Sequence, residues 1–300
     1  MRRRDLRITV CILTLCALLP ASAQTMGKAP AAVRASARAR EKSLVVRDGS
    51  FNSAALKREA KYRIYLPHEY SASERRYPVL YLLHGLYGDY RNWDTMTHLA
   101  SYISGRQWIV VMPDAGNSWY TNSVSQADDR FEDYVVKDLV QEIDHKYHTI
   151  PARQGRAVAG LSMGGYGAIK FALKYPEQYF FVGSLSGAFD AARDLAAQVA
   201  EYHDQLVKVL GERDNPAREP NDVFALVRKD DPTQVPYLYV ACGSADRFLT
   251  INREFVSELS ARKIAYEYHE TAGGHDWQYW DQAVRPMLNA LQLQLNTQTH

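Results

Sequence analysis

Gly160-Leu161-Ser162-Met163-Gly164-Gly165 joins two different periodicities. Before it, Arg156-Ala157-Val158-Ala159 is a short apolar run of strand type. After it, Tyr166 to Leu173 carries apolar residues at helical spacing up to Tyr175-Pro176. A strand feeding a helix through so tight a turn forces the middle residue into a strained backbone conformation. Glycines on either side let adjoining chain pass without a Cβ clash. Ser162 is therefore expected to stand above a sheet edge, its hydroxyl within reach of a base. Ordinary glycine-rich turns can match G-x-S-x-G, and it is the strand–turn–helix context that favours a nucleophile.

An activated serine needs a base and an acid that orients the base, and on this strand–turn–helix scaffold they follow in the order Ser, Asp/Glu, His. His275 lies in Gly273-Gly274-His275-Asp276-Trp277, just beyond the strand-like run Ala265 to His269. The paired glycines make a loop able to carry an imidazole across to the serine. Asp246 closes the turn Gly243-Ser244-Ala245-Asp246 after the buried-strand pattern Pro236 to Cys242. An acid there holds the histidine tautomer. Asp276 is the rival, but adjacent residues rarely fold back so that a carboxylate meets its neighbour's Nδ1. A further apolar run, Val79 to Leu83, ends in His84-Gly85-Leu86-Tyr87-Gly88. A glycine-rich loop after an early strand is where a donor for a developing oxyanion is found, and the expected donors are the amides of Leu86 and Met163. His84 is read as a structural residue bonding the loop backbone.

Together with the loop Pro113 to Tyr120, these strings resemble the esterase D family of α/β-hydrolases over roughly residues 43–295. That family includes S-formylglutathione hydrolases, short-chain acyl, feruloyl and acetylxylan esterases, and secreted mycolyltransferases. The resemblance implies an α/β-hydrolase fold: a mostly parallel central sheet flanked by helices. It also implies Ser162 as nucleophile, Asp246 as acid, His275 as base, and Leu86 with Met163 as oxyanion donors. No cofactor is implied. The chain lacks H-E-x-x-H, clustered Cys/His ligands and any Walker or dinucleotide glycine pattern, so no metal is expected either.

The first 23 residues read as a signal peptide. Arg2, Arg3 and Arg4 precede an apolar stretch from Ile8 to Leu19, and Ala21-Ser22-Ala23 offers a cleavage site before Gln24. The predicted destination is a periplasm or the medium, with no membrane as partner of the mature form. Cys11 and Cys16 leave with that segment, so Cys242 remains alone, inside a strand, where it acts as a small buried hydrophobe. Residues 24–42 are rich in Ala, Arg and Lys and read as a disordered linker. A formal net charge of +2 with no basic block argues against nucleic acid as a partner.

Residues 43–300 are expected to form one catalytic domain in which strands and helices alternate. Ser43–Val46 and Tyr62–Leu66 look like an antiparallel edge pair. Helices are predicted near 92–104, 131–148, 164–175, 250–263 and 279–295. Residues 187–235, with a helical run from 194 to 210, are longer than a simple crossover needs and read as a partial cap over the pocket. Among the loop aromatics, Tyr87, Trp119 and Trp277 are the candidate substrate-binding residues. The expectation is an exported serine esterase acting on short acyl or carbohydrate-linked acyl and feruloyl esters. The alternatives are acyl transfer to a sugar hydroxyl, and a non-catalytic binding protein on the same fold.

Overall fold

The computed structural model describes residues 44–72, 74–193, 202–229 and 231–298. The expected signal peptide and linker, and the helical run from 194 to 201, lie outside the described residues. One sheet contains β1 (Val45–Ser53), β2 (Arg58–Leu66), β3 (Val79–Leu83), β4 (Ile109–Pro113), β5 (Arg156–Leu161), β6 (Phe181–Leu185), β7 (Tyr237–Gly243) and β8 (Tyr266–Thr271). Its spatial order is β1-β2-β4-β3-β5-β6-β7-β8. Pairing is antiparallel from β1 to β2 and from β2 to β4, and parallel everywhere else.

The helices are α1 (Asn92–Thr95), α2 (Leu99–Ile103), α3 (Phe131–Asp133), α4 (Val140–Lys146), α5 (Met163–Lys174), α6 (His203–Leu210), α7 (Val223–Lys229), α8 (Leu249–Ala261) and α9 (Trp277–Thr297). A π-helical turn, Tyr134–Leu139, joins α3 to α4.

β3, β4, β5 and β6 are buried along their whole length, which is why their sequences read as unbroken apolar runs instead of alternating ones. Their side chains still alternate between two cores. Tyr81 and Leu83 pack with Tyr166, Ile169 and Leu173 of α5 on one face. Leu80 and Leu82 pack with Val284 and Leu288 of α9 on the other. β8 lies at the open edge, half-buried and charged, with Glu270 tied to Arg253 at 2.5 Å, a composition that discourages edge-to-edge pairing.

From β3 the chain passes to β4 on one side and later to β5 on the other, so β3 and β5 flank the point where the connections diverge. Crevices at the carboxyl ends of such strands are where ligands bind in open α/β sheets. This is the α/β-hydrolase arrangement that the sequence led us to expect.

Some boundaries differ from expectation. The edge pair is longer, because solvent-facing Arg47, Asp48, Glu59 and Lys61 continue both strands. The helix expected over 92–104 breaks in two at Met96–His98. There Thr97 Oγ1 accepts from the Leu99 amide, and Asp281 Oδ1 accepts from the His98 amide at 2.7 Å, so side chains take over the role of helical carbonyls.

The described parts of 187–235 fold down onto the domain. α7 packs beside α5 and α8, with Phe224 edge-on to Phe255 at 5.5 Å. α6 is stitched to the loop after β4 by Ser123 and Ser125, whose hydroxyls donate to the Lys208 carbonyl.

Candidate active site

The turn between β5 and α5 is as tight as its glycines suggested. A Cβ on Gly160 would lie 2.5 Å from the Gly164 carbonyl, so the strand and the first helical turn touch backbone to backbone. Ser162 sits between them at φ 52°, ψ −117°, a conformation costing about 1–3 kcal/mol for a residue with a side chain. Three backbone bonds hold it there. Its amide donates to the Leu185 carbonyl at 2.9 Å, and its carbonyl accepts from the Tyr166 and Ala188 amides.

Two other loops converge on the serine from the same sheet edge. His275, after β8, places Nε2 3.0 Å from Ser162 Oγ. Its Nδ1 lies 3.0 and 3.1 Å from the two carboxylate oxygens of Asp246, which follows β7. The two loops are pinned together by the Ala245 amide donating to the Gly273 carbonyl and the Ser244 amide donating to Thr271. The imidazole is held edge-on between Phe248 at 5.0 Å and Trp280 at 4.9 Å, which fixes its rotation.

The Asp246 side chain is fully buried. Burial alone would raise its pKa, but the bond to His275, that ring's charge, the Phe248 amide and Ser186 together hold it below the ordinary carboxylate value. Ser186 also accepts from Trp280 Nε1 at 3.1 Å, and so braces both the acid and the ring beside the base.

Asp276 has another task. Its carboxylate accepts from the Tyr279 amide at 2.9 Å and caps α9, while its backbone carries His275 into place.

The third loop follows β3. A Cβ on Gly85 would lie 2.6 Å from Leu161 Cδ1 and 3.5 Å from Ser162 Cβ, so this backbone runs directly against the serine. Among the described residues, neither the Leu86 nor the Met163 amide donates to another backbone group. Met163 is also the first residue of α5, where the helix presents unpaired N–H groups and partial positive charge.

His84 is wholly buried and structural. Its Nδ1 donates to the Gly85 carbonyl at 2.7 Å, its Nε2 accepts from the Ala115 amide at 3.0 Å, and burial pushes its pKa down, so the ring is neutral.

The cleft above Ser162 has a volume of about 290 Å3. Leu86, Tyr87 and Trp277 line it, as do Tyr202, Arg247 and Trp280. Trp119 does not. Its ring is buried edge-on against Tyr166 and Tyr202, at 6.2 and 5.9 Å, so it supports the wall from behind. The expectation that Trp119 meets substrate is corrected accordingly: φ 54° at Trp119 and 52° at Tyr120 turn the loop inward.

Tyr202 and Arg247 were not singled out from sequence. Arg247 follows Asp246 directly and stacks over Tyr202 and Phe248, but an arginine in a turn carries no distinguishing signal.

Lys170, on α5, was also missed. It is fully buried, donating to the Tyr120 carbonyl at 2.7 Å and pairing with Glu132 at 3.0 Å. Tyr120 in turn donates its hydroxyl to the His84 carbonyl, so the ion pair indirectly braces the loop beside the serine.

Cys242 is buried, as expected, and burial raises its thiol pKa well above the usual range. Among the described residues no group of three or more His, Cys, Asp or Glu could hold a metal ion, and no helix is long and apolar enough to cross a membrane.

The sequence pattern of the esterase family matches residues 53–291. An acetyl esterase of Caldicellulosiruptor saccharolyticus is 29% identical over 215 residues, covering 69% of this chain and 80% of the relative. An esterase of Mycobacterium tuberculosis is 32% identical over 250 residues, covering 75% of this chain but 54% of the relative, so the chain spans about half that protein's length. A ferulic acid esterase structure superposes with a TM-score of 0.71 at 25% identity, covering 84% of this chain and 98% of the other.

Proposed function

The chain belongs to the esterase family of carboxylic ester hydrolases, and from that premise we propose that Ser162, His275 and Asp246 cleave short acyl and carbohydrate-linked acyl or feruloyl esters through an acyl-enzyme. The observation that carries this proposal is the unbroken line from Asp246 through His275 to Ser162 at one sheet edge, beside the Gly85 backbone.

In the first half-reaction His275 Nε2 takes the Ser162 proton as Oγ attacks the ester carbonyl. Buried Asp246, kept ionised, holds the proton on Nδ1 and stabilises the imidazolium. The Leu86 and Met163 amides receive the negative charge on the carbonyl oxygen. The imidazolium then protonates the leaving alcohol, and water repeats the cycle to free the acid and regenerate the serine.

The size of the cleft, at the small end for ligand sites, suits a short acyl group or a single ring. The names of the acetyl esterase and ferulic acid esterase relatives point the same way. Tyr87, 63% exposed, stands at the mouth of the cleft. We further propose that the protein is exported by its first 23 residues and that 187–235 forms a partial cap.

Initial rates on a series of p-nitrophenyl esters test the substrate assignment, with acetate and butyrate expected to exceed palmitate. A preference for palmitate, or a dominant transfer product in concentrated trehalose, would overturn it.

A further inference from the structure

Beyond Tyr87 lies a second cavity, of about 320 Å3, walled by the loop between β4 and α3, by Arg58 of β2 and by α6. It shares no lining residue with the cleft. Tyr87 connects the two. Its amide donates to Asn117 Oδ1 at 2.8 Å, and its hydroxyl accepts from Gln205 Nε2 at 3.0 Å. Asn117 and Gln205 both belong to the wall of the second cavity, while Tyr87 belongs to the wall of the cleft. A substrate with its ester carbonyl at Ser162 would reach this space by running on across Tyr87.

The chemistry of the wall selects what can fill it. Asn117, Ser118, Thr121, Ser123 and Gln205 are neutral and polar, Arg58, Asp129 and Lys208 carry charge, and Phe131 and Val209 are apolar. The Thr121 and Ser123 hydroxyls are already bonded within the protein, so the choice rests on Gln205 and Ser118, to which an acyl chain or a bare aromatic ring would return no hydrogen bond. A simple anion is no better matched. Arg58 is already engaged by Asp129 at 2.8 Å, and that carboxylate faces the same space, leaving Lys208 as the remaining cation.

Unused hydrogen-bonding capacity points to hydroxyls. Gln205 Oε1 is buried with no partner among the described residues. Whichever way that amide is turned, one end serves Tyr87 and the other is left over. Ser118 Oγ accepts from the Tyr120 amide, which leaves its own proton to give. Spare acceptors and spare donors on one wall are satisfied together by groups that both donate and accept.

We propose that this cavity is a subsite for the hydroxyl-rich part of the substrate, a sugar unit that bears or adjoins the ester, read by Gln205 and Ser118 and reached across Tyr87. The inference rests on the esterase assignment above and adds to it a place for the carbohydrate.

Two variants test it: Gln205→Leu, which removes the spare amide end together with the bond to Tyr87, and Lys208→Trp, which obstructs the cavity from an exposed helix position and leaves that bond in place. For each, kcat/KM is measured on partially acetylated xylo-oligosaccharide and on p-nitrophenyl acetate, whose leaving group is too short to cross Tyr87. The oligosaccharide-to-p-nitrophenyl ratio is expected to fall about tenfold or more, chiefly through KM. Calorimetric binding of the same oligosaccharide to Ser162→Ala, and its loss in the Ser162→Ala/Gln205→Leu double variant, reads the subsite without turnover. An unchanged ratio in both variants, or equal binding to the single and double variants, overturns the subsite. Absence of p-nitrophenyl acetate hydrolysis by the unmodified protein would instead overturn the esterase assignment, and the binding measurement would still decide the subsite.

Discussion

Replacing Asp246 by Asn changes one oxygen to an amide nitrogen, and the surroundings decide which. Asp246 Oδ1 accepts from the Phe248 amide at 2.8 Å, a donor fixed by the backbone of the turn. Asparagine must keep its carbonyl oxygen there, which sends its NH2 group to the position of Oδ2, 3.0 Å from His275 Nδ1. That NH2 group would face the Nδ1 proton, leaving only the carbonyl oxygen, 3.1 Å from Nδ1 and already engaged by the Phe248 amide, to accept from the ring. The imidazole escapes by moving its proton to Nε2, the nitrogen 3.0 Å from Ser162 Oγ, and in that tautomer it cannot accept the serine proton.

Loss of the correct tautomer in such a triad costs about 10⁴ in kcat, or about 5.4 kcal/mol of transition-state stabilisation. Asp276→Asn is the matched control, because asparagine caps a helix about as well as aspartate and the Tyr279 amide keeps its acceptor. Steady-state kinetics on p-nitrophenyl acetate, with circular dichroism and thermal melts to confirm folding, should show Asp246→Asn nearly inactive and Asp276→Asn within a few-fold of the unmodified protein. A near-normal Asp246→Asn beside an inactive Asp276→Asn would refute the choice of acid.

Ser162→Ala should lose all but about a hundredth of kcat or less while keeping its circular dichroism spectrum, and greater retention with an intact fold would remove Ser162 as nucleophile. Lys170 and Lys174 overcome burial to hold the Glu132 pKa at about 2, below its unfolded value of 4.5, so its contribution is full above pH 4.5 and drains away as pH falls toward 2. Glu132→Gln strands Lys170 without its counter-charge and should cost about 3–5 kcal/mol at pH 7. In urea denaturation that deficit should shrink at pH 3, and a deficit of equal size at both pH values would contradict the ion pair's role. Exported protein should begin at or close to Gln24, with a mass indifferent to reductant because Cys242 has no intramolecular partner, whereas Met1 retained would contradict export and a lipid on Cys16 would contradict cleavage before Gln24.

What could be read in advance follows from how far each signal reaches along the chain. Strands buried on both faces announce themselves locally, because every residue of Val79–Leu83 and Phe181–Leu185 must be tolerable inside the protein. The convergence of the three groups proposed to react was legible for a related reason. Ser162, Asp246 and His275 each follow a strand whose end the sequence marks with small residues, and a parallel sheet gathers the carboxyl ends of its strands along one edge. Chain order and sheet order together left few other aspartates or histidines that could reach the serine.

Features that depend on two distant segments had no such local mark. The break at 96–98 is set by Asp281, 183 residues away from His98. Lys170 stands in the middle of a helix, where a lysine ordinarily faces water, and only the fold brings it Glu132 and the Tyr120 carbonyl. Trp119 is expected to meet substrate as a loop aromatic, yet it lies at a pair of positive-φ residues with its ring buried edge-on behind Tyr202, which lines the cleft instead. The second cavity belongs to the same class. Asn117 and Gln205 are unremarkable in a polar loop and an amphipathic helix, and they acquire meaning only once both are bonded to Tyr87, from the loop that also brings Gly85 against the serine. The chemistry of the reaction is thus written in short motifs, whereas whatever chooses the substrate is written in pairings between loops. For that reason the oligosaccharide-to-p-nitrophenyl ratio, and not loss of activity alone, separates the two.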